Sequence, residues 1–200
     1  MTEKGLRERK KEATRAALIE AARRLGAERG ADNVRMEDIA AAAGVSLRTI
    51  SNYFASKAEI ILAIGAGRAT QFAKALLARP AAEPIWEALR QASIAQFAGA
   101  TDVTRANLAA STATPELLAA QLQLHRSIEP VLAAAIANRT GTDPERDLYP
   151  RLVAGAVLTA TRIAVDYWRT CDDPALSLPD LVGDAVPQVA AGLPAPGAAR

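Results

Sequence analysis

Catalysis finds few tools in this chain. It carries one histidine, His125, and one cysteine, Cys171, so no His/Cys set has metal-ligand spacing and no nucleophile is paired with a histidine base. No acidic cluster suits Mg²⁺ and no glycine-rich loop suits a nucleotide. No enzyme activity, metal or cofactor is expected. What the chain does concentrate is donors and cations. Ser46, Leu47, Arg48, Thr49, Asn52, Tyr53 and Lys57 fall within twelve residues, and a short helix carrying such groups can meet phosphate oxygens and base edges.

The segment that positions them reads Ile39-Ala40-Ala41-Ala42-Ala43-Gly44-Val45-Ser46-Leu47-Arg48-Thr49-Ile50, which meets the mechanical needs of a helix-turn-helix in order. A small side chain at Ala40 lets the next helix cross closely. Gly44 can take the left-handed conformation that ends the first helix, and Val45 and Ile50 fill the seam. Ser46 offers a capping hydroxyl for a helix over Leu47–Phe54, whose first turn is free to enter a DNA major groove with its dipole favouring phosphate.

Charge supports this placement. The 200 residues carry 24 Lys+Arg and 22 Asp+Glu, net +2, too little to mark the whole chain as a polyanion binder. Residues 1–57 hold 12 basic and 8 acidic residues, and the remainder 12 and 14, so the basic part is the first quarter. Lys4, Arg7, Arg9, Lys10, Lys11 and Arg15 form a positive arm leading into the first helix. An unpaired Cys171 and a start without the apolar core of a signal peptide fit a reducing, cytoplasmic setting.

Composition predicts an all-α fold of about nine helices: 47 residues are Ala and only eight are aromatic, which suits closely packed helices better than strands. Apolar spacing places helices at about Lys10–Glu28, Arg35–Ala43, Leu47–Phe54 and, after a cap at Ser56, from Ala58 to Leu77, with Gly65 and Gly67 marking a bend. Further helices are expected at Pro84–Ala98, Val103–Thr112, Pro115–Asn138, Asp147–Cys171 and Leu178–Ala190. Pro130 and Pro187 can kink two of them, and 193–200 reads as a disordered tail. The helix pattern implies a basic helix-turn-helix domain over 1–57, a connecting helix with a further helical domain over 58–192, and the tail.

The run Ala27-Glu28-Arg29-Gly30, Ile39-Ala40, Ala43-Gly44-Val45-Ser46, Thr49 and Tyr53-Phe54 followed by Lys57 resembles the TetR family of transcriptional regulators, most clearly over Arg15–Leu62. Gly26 stands where the family has a Phe, and Arg35 where it often has a Thr. The resemblance implies phosphate contacts from Thr49, Tyr53 and Lys57, and base-facing positions for Leu47, Arg48 and Asn52. Their chemistry suits those roles, since Arg can clamp G O6/N7, Asn can read adenine and Leu can touch a thymine methyl. Arg35 would add a charged phosphate contact.

For the remaining residues the resemblance implies a homodimer joined mainly through the last two helices, an effector cavity in each C-terminal domain, and release from a palindromic operator when the cavity fills. Repression is the mode it implies. Independently, the 147–171 helix has two apolar faces, Leu148, Leu152, Ala156 and Ile163 on one and Val153, Val157, Ala160 and Ala164 on the other, so one can serve the core and one a partner. Leu181, Val182, Ala185 and Val189 can supply the second helix of a dimer seam. Trp86, Phe97, Leu118, Leu122, His125 and Arg162 are candidates to line a largely apolar effector site. The competing reading is a constitutive dimeric DNA-binding regulator with no small-molecule effector.

Overall fold

A computed structural model of the chain describes residues 3–101, 105, 115–171, 173 and 175–194. Among them it contains eight α-helices and no strand: α1 (Glu3–Arg29), α2 (Met36–Ala42), α3 (Leu47–Ser51), α4 (Lys57–Leu77), α5 (Ile85–Phe97), α6 (Pro115–Thr140), α7 (Leu148–Thr170) and α8 (Leu178–Ala190). The helix expected at Val103–Thr112 and the tail after residue 194 lie outside the described residues. The chain divides into two compact units, residues 1–65 with 102–122, and residues 66–101 with 123–200.

Within the first unit Leu18, Ala21, Ala22 and Leu25 of α1 share a core with Val34, Ile39, Ala40, Ile50, Phe54 and Ile60. Gly30 (φ +81°) ends α1 and Gly44 (φ +68°) ends α2, backbone that a Cβ would strain. After α2 the Val45 N–H donates to the Ala40 carbonyl at 2.9 Å and the Gly44 N–H to that of Ala41 at 3.1 Å, the two bonds of a Schellman stop. The small residue at Ala40 is 2% exposed and Ile50 fully buried, so the seam is filled as its sequence requires.

Two boundaries differ from the periodicity. α1 starts at Glu3, so the positive arm is itself helix; its Lys, Arg and Glu residues are good helix formers that need no apolar stripe. α3 is helical only to Ser51, because the chain closes with tighter bonds from Asn52 N–H to Thr49 O and Tyr53 N–H to Ile50 O and then turns Phe54 inward. Gly65 and Gly67 sit within a continuous α4.

In the second unit Phe72, Leu76, Leu89, Leu132, Ile136, Val153, Val157 and Val186 form the core. Helices α5 and α8 meet where Gly183 lacks a side chain: a Cβ there would lie 3.1 Å from Ile94 Cδ1, and the carbonyl of the buried Gly183 accepts from Arg90 Nε at 3.0 Å. Arg139, near the end of α6, donates to four carbonyls, Leu76 at 3.2 Å, Arg79 at 2.9 Å, Pro80 at 2.9 Å and Glu83 at 3.1 Å. One guanidinium thus satisfies the C-terminus of α4 and the turn after it. By length and mean hydropathy α4 (1.3) and α7 (1.2) are each long and apolar enough to cross a bilayer; here both contribute core residues.

Candidate nucleic-acid interface

Ser46 sets the start of α3. Its Oγ accepts from the Thr49 N–H at 3.1 Å and lies 2.9 Å from Thr49 Oγ1, so one hydroxyl caps the helix and orients another. Ile50 anchors the inner side. The outer side carries Leu47, 46% exposed, with Arg48, Ser51 and Asn52 also exposed. An exposed leucine beside an arginine and an asparagine, on a helix anchored by the fully buried Ile50, offers the chemistry that base edges can meet: an apolar contact for a methyl group and two hydrogen-bonding heads.

The expected phosphate-side residues occupy different supports. Tyr53 is half-buried and packs against the first-unit core, which fixes its ring. Arg35 is exposed directly before α2, and its N–H is held by the Asp38 carboxylate at 2.9 Å. Lys57 is the first residue of α4, half-buried, with Nζ donating to the Asp32 carbonyl at 3.2 Å. A cation at a helix N-terminus opposes the helix dipole; an arriving phosphate would relieve that conflict. Ser56 and Glu59 cap the same end, Ser56 Oγ accepting from the Glu59 N–H at 3.3 Å and Glu59 Oε2 from the Ala55 N–H at 2.7 Å.

Two family models match the chain: "Bacterial regulatory proteins, tetR family" over residues 18–64 and "MftR C-terminal domain" over 83–194. The chain is 32% identical over 173 residues to the HTH-type transcriptional regulator TcmR of Streptomyces glaucescens, covering 82% of this chain and 76% of that one. The chain belongs to the TetR family of transcriptional regulators. This TetR-family protein is also 29% identical over 188 residues to a Mycobacterium tuberculosis protein assigned as the mycofactocin biosynthesis transcriptional regulator MftR, covering 92% of this chain and 93% of that one. In fold it is similar to Thermus thermophilus FadR, with a TM-score of 0.60 and 18% identity over 93% of this chain and 98% of that one. It is a DNA-binding transcription regulator and not an enzyme.

The second unit of this TetR-family regulator holds a small cavity of about 50 Å³ lined by Ala69 and Phe72 of α4, Gln96 of α5, Ile128 and Leu132 of α6, and Val157, Leu158 and Thr161 of α7. None of the candidate effector residues whose side chains are described lines it. Trp86 packs against the core, Phe97 is half-buried at the end of α5, and Arg162 is exposed with Nη1 3.1 Å from Asp166 Oδ2. The side chains of Leu118, Leu122 and His125 lie outside the described residues. Thr161, adjacent to Arg162, is the polar group that the α7 register turns inward; two apolar faces on one helix left that choice open in the sequence.

Those faces separate as expected. Val153, Val157, Ala160 and Ala164 are buried, whereas Leu148 is 68% exposed, Leu152 60% and Ile163 54%, with Tyr149 and Tyr167 beside them. On α8, Val182 is buried in its own unit, and Leu181, Ala185 and Val189 are half-buried.

Proposed function

We propose that this protein is a homodimeric, ligand-responsive repressor that binds a palindromic operator and leaves it when a small, largely apolar effector fills the second unit. The observation that carries the reading is α3: a capped helix with Ile50 buried and Leu47, Arg48 and Asn52 facing outward. Arg35, Ser46, Thr49, Tyr53 and Lys57 hold phosphates, while Leu47, Arg48 and Asn52 meet base edges. The dimer forms on the exposed α7 face with help from α8, because a stripe from Leu148 to Tyr167 extends about 30 Å and is too large an apolar surface to leave in water. Two-fold symmetry then pairs two reading helices with two half-sites. Residues 1–57 act as the reading head and 58–192 as the effector and dimerisation part, working in the cytoplasm and on the nucleoid when bound to DNA.

The effector reading rests on the cavity between α4, α5, α6 and α7. Six of its eight lining residues are apolar and none is charged. Thermus thermophilus FadR, of similar fold, is a repressor solved in complex with lauroyl-CoA, and an acyl thioester would place a hydrocarbon chain in such a lining. A space of about 50 Å³ has room for a few waters but not for a fatty acyl chain, so such a chain must part α4 from its neighbours. Effector binding would thereby act on the helix that begins with Lys57.

The test is operator binding, after selection from random DNA, with and without lauroyl-CoA. Release by lauroyl-CoA and a raised melting temperature support the full reading. Binding untouched by acyl-CoA esters of any chain length favours the constitutive regulator, and no selected sequence at all would remove the operator reading.

A further inference from the structure

The first three turns of α1 lie beyond the core, and their cations are not scattered. Arg7, Lys11 and Arg15 recur every four residues, which puts them on one strip of the helix, and the strip runs on into Leu18 and Ala22, the residues α1 buries against the other first-unit helices. The strip therefore points to the side on which those helices lie. Arg15 fixes its near end: its guanidinium stands 5.2 Å from the centroid of the Phe54 ring, three residues past the end of α3. With a rise of 1.5 Å per residue, Arg7 sits about 12 Å further along the axis.

All three side chains are exposed, and among the described residues none of them makes an ion pair, although Glu8 and Glu12 lie in the same turns. A row of unneutralised cations that starts beside the reading helix matches the charge of a duplex backbone.

We propose that the N-terminal turns of α1 are a second DNA contact, in which Arg7, Lys11 and Arg15 lie along phosphates flanking the half-site read by α3. The contact rests on the operator reading above and adds to it a sequence-independent clamp outside the helix-turn-helix. It raises affinity for any duplex, lengthens the protected region and leaves the choice of bases to Arg48 and Asn52.

The test measures affinity for the selected operator and for a random duplex about three helical turns long, across about 50 to 200 mM salt. Arg7→Gln with Lys11→Gln keeps helix propensity and avoids the Arg15–Phe54 contact. The salt slope of log affinity is expected to become shallower by about 2 per protomer, on both duplexes, with the selected consensus unchanged. Arg9→Gln, on the opposite side of α1, is the control and should leave the slope as it is. A wild-type slope in the double variant, or an equal loss in the Arg9→Gln control, overturns the proposal while operator binding stands. A native chain that binds no duplex removes the operator reading as well.

Discussion

Lys57 Nζ donates to the Asp32 carbonyl at 3.2 Å, tying the first turn of α4 to the link between α1 and α2 across 25 residues of chain. The lysine is thus both a proposed phosphate ligand and a strut within its own unit. Lys57→Ala should lower stability by about 1 kcal/mol, the scale of one charge-assisted bond at a half-exposed site, and reduce the salt slope of operator binding by about 1 per protomer. Denaturant titration and a salt series separate the two effects; a stability loss with an unchanged slope would leave Lys57 as a strut alone.

Arg48 and Tyr53 differ in support, and their variants should differ in kind. Arg48 is exposed on the outer side of α3, so Arg48→Ala should relax preference at one operator position by about 1–3 kcal/mol. Tyr53 is held against the core, and Tyr53→Phe should weaken all sequences alike. Selection from random DNA with each variant reads the difference, and an unchanged Arg48→Ala consensus would remove that residue from base reading.

Arg139 gives a prediction about the second unit alone. Of its four carbonyl partners between Leu76 and Glu83, those of Leu76 and Pro80 also accept the N–H groups of Arg79 and Glu83, so loss of the guanidinium falls chiefly on the carbonyls of Arg79 and Glu83. Arg139→Met should cost roughly 2–4 kcal/mol, seen as a lower denaturant midpoint. Arg139→Lys should recover little of it, since an ammonium cannot span the same fork.

The exposed α7 face tests the dimer. Leu152→Glu with Ile163→Glu changes residues that touch little of their own core, so the fold should persist while sedimentation velocity shows monomers. A double variant that stays dimeric at every concentration would place the seam elsewhere.

Gly67 tests α4 as a coupling element. A Cβ at this position would meet nothing within 4 Å, so Gly67→Ala should stabilise the helix by about 0.5–1 kcal/mol and blunt effector-driven release of operator. Full release with the stiffened helix would show that coupling needs no joint there.

The helix-turn-helix was legible because its determinants are local. Gly44 in the left-handed region, Ser46 accepting the Thr49 N–H and Ile50 turning inward each depend on residues within a few positions, and spacing alone reports them. The two faces of α7 were legible for the same reason. Which face is covered, and whether Thr161 or Arg162 turns toward the cavity, depends on how α7 is rotated against α4, α5 and α6, and a single helix carries no record of that.

The sequence by itself determined the helical class, the reading motif and the basic character of the first quarter, through propensity, capping and charge that act over one or two turns. Only the tertiary structure decided that the positive arm is a continuation of α1 with its cations aligned toward Phe54, that Lys57 closes on Asp32, and that Arg139 secures the end of α4. Those contacts join residues from 25 to 63 positions apart, brought together by burial of apolar surface that has no preferred partner until the chain has folded.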